Sequence, residues 1–228
     1  MRQLLLDWGA ARPQTLDSFV IGRNQELAAL LRRIAGHDTS SPDQRFITIW
    51  GDPGAGKSHL LNALKAGGNA RLLSPELSSR EFVWSPAYRL YLIDDCERLN
   101  ERQQHALFNL YNQVQDTGGT LVAAAVQPPA QLALREDLRT RLGWGLVYQL
   151  HGLTDEEKID ALSQSAQARG LALSTGVLPY LLTHFRRDMQ SLSAMLDALD
   201  RYSLETQRPI TMPLLRELLQ LGDTTSPP

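Results

Sequence analysis

A chain of 228 residues with 43% hydrophobic and 21% charged side chains can bury a sizeable core and has the balance of an ordinary globular protein. Its 23 basic and 25 acidic side chains leave a formal net charge of −2, which excludes a protein whose main task is coating nucleic acid, and no strong direct DNA binding is expected. The single cysteine, Cys96, excludes an internal disulfide and a multi-cysteine metal site, and the sequence lacks the run of about eighteen apolar residues that a membrane span requires.

In chain order, the first feature is an apolar patch, "QLLLDW". Asp7 interrupts it too early for a secretory signal, so a cytoplasmic protein is expected, with residues 1–14 a flexible N-terminal segment. "GRNQELAALLRRIAG" repeats Leu27, Leu30, Leu31 and Ile34 at helical spacing. A loop, "HDTSSPDQR", leads into "FITIW", a β-branched and aromatic strand. A glycine-rich turn and the helix "SHLLNALKA" follow, then the strands "ARLLS", "RLYLIDD", "TLVAAAV" and "LVYQL". The link from "ARLLS" to "RLYLIDD" has room for one poor helix.

Strands separated by helices predict an α/β domain over residues 15–151, with a five-stranded parallel sheet covered on both faces. After His151 the pattern is helical throughout: "LTDEEKIDALSQSAQARG" opens on a capping box, Thr154 and Glu157, and closes on Gly170. Three further helical segments complete a small all-helical lid domain over 152–222, and 223–228 reads as a disordered tail.

The sharpest motif is "GDPGAGKSH", Gly51 to His59, which matches the P-loop pattern and lies between a strand and a helix. Gly51, Pro53, Gly54, Ala55 and Gly56 let backbone N–H groups converge on phosphate oxygens, and the helix that starts at Lys57, Ser58 and His59 adds its positive end. Lys57 is suited to the outer phosphates, and the Ser58 hydroxyl to Mg²⁺.

"RLYLIDD" delivers two adjacent carboxylates to a strand end, a Walker B arrangement. Asp94 is the expected Mg²⁺-side carboxylate, and Asp95 is suited to orienting a water. The alternative is that the pair caps the helix "ERLNERQQHALFNLY". At the end of "TLVAAAV", where a polar residue would face the γ-phosphate, stands Val126, with Gln127 one step further and on the other face. The site therefore reads as holding ADP or ATP with Mg²⁺ more than turning it over, with weak or no intrinsic hydrolysis expected.

Taken together, "TLDSFVIGRN", "GDPGAGKSHLL", "LYLIDD", "DLRTRLGWGLVYQL" and "FRRDMQSLSAMLDALDRYSLETQRPIT" resemble the AAA+ region of the DnaA/Hda family of bacterial replication proteins, in order and from about residue 15 to 221. The resemblance is stronger to the regulatory branch of that family than to its initiators, which continue into a helix-turn-helix module that the present sequence does not show. The resemblance implies that Arg141, in "RTRLGWG", is an arginine finger offered in trans to a neighbour's nucleotide, with Arg139 the competing position. It implies that Arg187 contacts nucleotide from the lid, with Arg186 competing, and that Ile21, Gly22 and Arg23 touch the adenine.

The N-terminal patch resembles the clamp-binding peptide of bacterial replication proteins: Gln3 for a polar pocket, then Leu4, Leu6 and Trp8 as apolar anchors. Packing of the same residues on the chain's own surface is the alternative. The resemblance thus implies two partners, DnaA and the DNA polymerase III sliding clamp (its β subunit), and a negative regulator of replication initiation. AAA+ domains that stack finger to phosphate loop also give a route to homo-oligomers. The rival readings are an autonomous ATPase or helicase loader, and a non-catalytic clamp adaptor.

Overall fold

The structure is a computed structural model that describes residues 13–36, 44–185 and 187–224, the last five of these by backbone alone. The clamp-peptide residues Gln3, Leu4, Leu6 and Trp8 lie outside the described residues. The chain divides into two compact units, one ending at Gly152 and one beginning at Leu153.

The first unit is built on a five-stranded sheet from β1 (Phe46–Trp50), β2 (Ala70–Leu73), β3 (Leu90–Ile93), β4 (Thr120–Ala125) and β5 (Leu146–Gln149), in the order β2-β3-β4-β1-β5. Every pairing is parallel. Helices α1 (Gln25–Ala35), α2 (Lys57–Ala66), α3 (Glu101–Asp116) and α4 (Glu136–Trp144) complete the unit.

The two-residue repeat of a strand divides the core into two layers. Leu121, Ala123 and Ala125 of β4 join Tyr91 and Ile93 in one, packed with Leu107, Leu110 and Val114 of α3 and Leu138 and Leu142 of α4. Val122 and Ala124 join Ile47, Ile49 and Leu92 in the other, with Leu27, Leu31 and Ile34 of α1 and Leu60, Leu61 and Leu64 of α2. All six residues of β4 are buried, as a central parallel strand requires, whereas β5 at the edge alternates half-buried and exposed residues.

Between β2 and β3 there is only a 3₁₀ turn, Ser79–Glu81, closed by a capping box from Ser78. Pro75 and Pro86 leave too little room for a helix. The buried Gln103 side chain of α3 pins the connection by donating to the carbonyls of Pro75 (2.9 Å) and Leu77 (2.7 Å). α3 itself is capped by Asn100, in a box with Gln103. Asp94 and Asp95 therefore do not cap that helix, and the alternative role weighed for them from the sequence falls away.

The second unit packs α5 (Asp155–Ala168), α6 (Val177–His184), α7 (Met189–Thr206) and α8 (Met212–Thr224) around Leu162, Leu181, Leu192, Leu196, Leu199 and Leu214. Thr154 and Glu157 form the capping box of α5, and Asp188 caps α7 by accepting from the Ser191 N–H at 2.8 Å. α8 runs through Thr224, past the boundary of 222 expected from composition; the first proline able to stop it is Pro227. Among the described residues no helix is long and apolar enough to cross a membrane.

Candidate functional site

β1 carries the chain to the C-terminal edge of the sheet, and α2 begins at Lys57. The turn between them needs a left-handed residue at its end, and Gly56 supplies it with φ +107°. A Cβ there would also lie 2.9 Å from the Phe19 ring. Lys57 is only 7% exposed, and its ammonium donates to the carbonyls of Gly51 (2.6 Å) and Asp52 (3.0 Å). Burial lowers the Lys57 pKa from its ordinary value; the carboxylates of Glu97, Asp95, Asp94 and Asp52, in that order, act to keep it charged.

Asp94 stands at the tip of β3, where its N–H extends the sheet to Leu73 O at 2.9 Å. Burial raises its carboxyl pKa above the usual range, the Ser58 hydroxyl acts in the opposite sense, and the like charge of Asp95 raises it again. Asp94, Ser58 and Lys57 are thus brought together on one side of the turn. Asp95 adopts a left-handed backbone conformation, φ +46°, and its carboxylate accepts from the Arg98 guanidinium at 2.9 Å.

One carboxylate of this site escaped the sequence reading. Glu97, in a 3₁₀ turn Cys96–Arg98, accepts a hydrogen bond from the Val126 N–H through Oε2 at 3.3 Å. It therefore supplies a polar group at the end of β4, where Val126 offers none. Its only sequence signal was its place three residues after Asp94, the repeat of a 3₁₀ turn.

The segment before α1 lies against the phosphate loop. Phe19 and His59 pack with ring centroids 5.6 Å apart, and His59 Nε2 sits 3.0 Å from Thr15 O. Ile21 and Gly22 are half-buried and Arg23 is exposed. The next residue, Asn24, is 4% exposed and holds this segment in place. Its amide donates to Ile21 O (3.0 Å) and His151 O (2.9 Å) and accepts from the His151 N–H (2.8 Å). Asn24→Ala is expected to leave the His151 amide unsatisfied and to cost about 1–3 kcal/mol, read as a lower denaturant midpoint at unchanged m.

Arg141 lies elsewhere, in the last turn of α4. Its guanidinium sits over the Trp144 ring, 4.2 Å from the centroid, with Phe108 and Tyr111 at 5.7 and 5.8 Å. Burial pushes the Tyr111 hydroxyl up to about 12, against the pull of Arg141. Arg141 is half-buried and stacks on Trp144, which is 62% exposed. Arg139, the competing position on the same helix, is half-buried as well.

Arg187 belongs to the helical unit, is exposed, and faces Asp155 at 3.6 Å. An exposed pair at this distance adds little stability. Arg186 lies outside the described residues.

The residues fit the phosphates of a nucleotide with Mg²⁺ on three counts: a left-handed glycine turn, a buried lysine held by the loop's own carbonyls, and a half-buried carboxylate beside Ser58. Among the described residues there is no cluster of three or more His, Cys, Asp or Glu able to hold a metal. The Ser58 hydroxyl and the Asp94 carboxylate are the groups that would hold Mg²⁺ together with phosphate oxygens.

The comparisons with known proteins agree with this architecture. The model for the "Hda, lid domain" matches residues 155–219, and that for the "Bacterial DnaA ATPase domain" matches residues 78–149. An uncharacterised protein of Haemophilus influenzae is 35% identical over 223 residues, covering 91% of this chain and 94% of that protein. Domain III of the Thermotoga maritima replication initiation protein DnaA superposes with a TM-score of 0.69 at 20% identity, over 99% of this chain and 100% of that one. AMPPCP-bound DnaA from Aquifex aeolicus gives 0.67 at 20% identity, over 85% of this chain and 67% of that one. With a DnaA-type α/β unit followed by an Hda-type lid, the chain belongs to the DnaA/Hda family of AAA+ proteins.

Proposed function

We propose that this chain is a negative regulator of replication initiation, which binds the DNA polymerase III sliding clamp and stimulates hydrolysis of DnaA-bound ATP by supplying Arg141 in trans. The observation that carries the reading is the setting of Arg141. It is a half-buried guanidinium stacked on an exposed tryptophan, in a chain whose second unit matches the Hda lid. A guanidinium so offered supplies positive charge to the γ-phosphoryl of a neighbouring site and needs no chemistry in its own nucleotide site.

On this reading the chain binds ADP or ATP with Mg²⁺ in its own site, with weak or no hydrolysis there. Lys57 and the loop amides hold the phosphates, Ser58 and Asp94 hold Mg²⁺, and Ile21, Gly22 and Arg23 border the base. Mg²⁺ supplies charge neutralisation between the outer phosphates. Asp95, read from the sequence as a water-orienting group, is held by Arg98. Arg187 is the lid residue assigned to the nucleotide. Residues 3–8 are the address: Gln3, Leu4, Leu6 and Trp8 would dock in an apolar groove of the clamp.

The test is hydrolysis of ATP on purified DnaA, with clamp loaded on DNA. Wild-type protein is expected to accelerate it only when clamp is present. A variant with alanine at Gln3, Leu6 and Trp8 is expected to lose clamp binding by about 10²-fold or more, since a few anchors carry such interfaces. Equal stimulation with and without clamp would show the address to be wrong. Rapid ATP turnover by the isolated chain would favour the autonomous ATPase instead.

A further inference from the structure

We propose that Glu97 is the residue by which this site reads the third phosphate of its nucleotide, in place of the polar residue that the end of β4 lacks. The inference rests on the nucleotide-binding reading above. β4 lies between β3, which carries Asp94, and β1, which leads into the phosphate loop. Gly51 donates its N–H to Ala125 O at 3.2 Å, so the first residue of the loop and the last of β4 are hydrogen-bonded neighbours. Val126 is the next residue, and Glu97 is seated on its N–H. The carboxylate thus reaches from the β3 side across the tip of β4 towards the loop.

Two further facts bear on Glu97. Asp95 is engaged by the Arg98 guanidinium, whereas the side-chain hydrogen bond of Glu97 is to a backbone amide. Glu97 is also half-buried, so its charge is less screened than that of a surface carboxylate.

A carboxylate facing the outer phosphates interacts unequally with ADP and ATP, because ATP brings an additional negative group to its side of the site. The test compares the dissociation constants of fluorescent ADP and of a non-hydrolysable ATP analogue, both with Mg²⁺, for wild type, Glu97→Gln and Glu97→Asp. Glu97→Gln is expected to raise affinity for the triphosphate relative to the diphosphate by roughly tenfold, the effect of one charge removed at close range. Glu97→Asp keeps the charge and is expected to stay within about threefold of the wild-type ratio.

An unchanged ratio in Glu97→Gln, with both nucleotides still bound, overturns the role of Glu97 and leaves the nucleotide site intact. Failure of wild type to bind either nucleotide overturns the nucleotide reading itself. Loss of folding in both variants, seen by circular dichroism, assigns Glu97 a structural role and overturns the proposal.

Discussion

Gly145→Ala is expected to lower stability by about 3 kcal/mol or more, a shift in Tm of about 10 °C for a chain of this size. Gly145 joins α4 to β5 with φ −87°, so any residue could adopt its backbone conformation; the constraint is space. A Cβ built there overlaps the Phe46 carbonyl oxygen and lies 2.7 Å from its carbon and 2.8 Å from the Phe46 Cβ. All three atoms belong to the first residue of β1, which pairs with β4 and carries the phosphate loop, so none yields cheaply. β5 would have to move away from β1, opening the Ile47–Leu146 pairing. The measurement is thermal unfolding followed by circular dichroism. Gly143→Ala serves as the comparison, since its added methyl would meet only the Pro129 Cβ at 3.9 Å. Equal melting of the two variants would refute the steric account.

Arg141→Ala is expected to abolish stimulation of DnaA ATP hydrolysis, by about 10³-fold or more if the residue acts as a finger. Clamp binding is expected to be unchanged, since the proposed peptide lies far away in sequence. Arg141→Lys is expected to recover little, because an ammonium lacks the flat face that stacks on Trp144 at 4.2 Å and the fork that grips two oxygens. Arg139→Ala on the same helix is the discriminating control. If it loses stimulation while Arg141→Ala keeps it, the finger has been assigned to the wrong residue. Trp144→Ala is expected to give an intermediate loss through poorer positioning of the guanidinium, with no change in nucleotide affinity.

The fold was legible because its signals are local. "FITIW" and "TLVAAA" are apolar apart from one threonine each and buried along nearly their whole length, the mark of strands covered on both faces, and the capping box at Thr154 states where the helical unit begins. The glycine turn between β1 and α2 was legible for the same reason, since its glycines and its lysine fall within seven residues. Glu97 and Asn24 were not. Each works by reaching a backbone group on another strand or at the far end of the unit, Val126 for one and His151 for the other. Spacing along the chain carries no trace of such reach. The connection between β2 and β3, which Pro75 and Pro86 restrict to a 3₁₀ turn, is pinned in the same way by Gln103 from the following helix.

The Asn24–His151 contact has a mechanical consequence. These residues stand near the entry and the exit of the α/β unit, and a single buried amide ties them with bonds of 2.8 and 2.9 Å. The unit is therefore a closed ring as far as tension is concerned. A load applied between its two ends falls first on these two short hydrogen bonds. The sheet that carries the phosphate loop lies within the ring and is shielded until they part. Asn24→Ala would open the ring, and force spectroscopy on the unit would read that change as an early yield at low force, ahead of the main unfolding event.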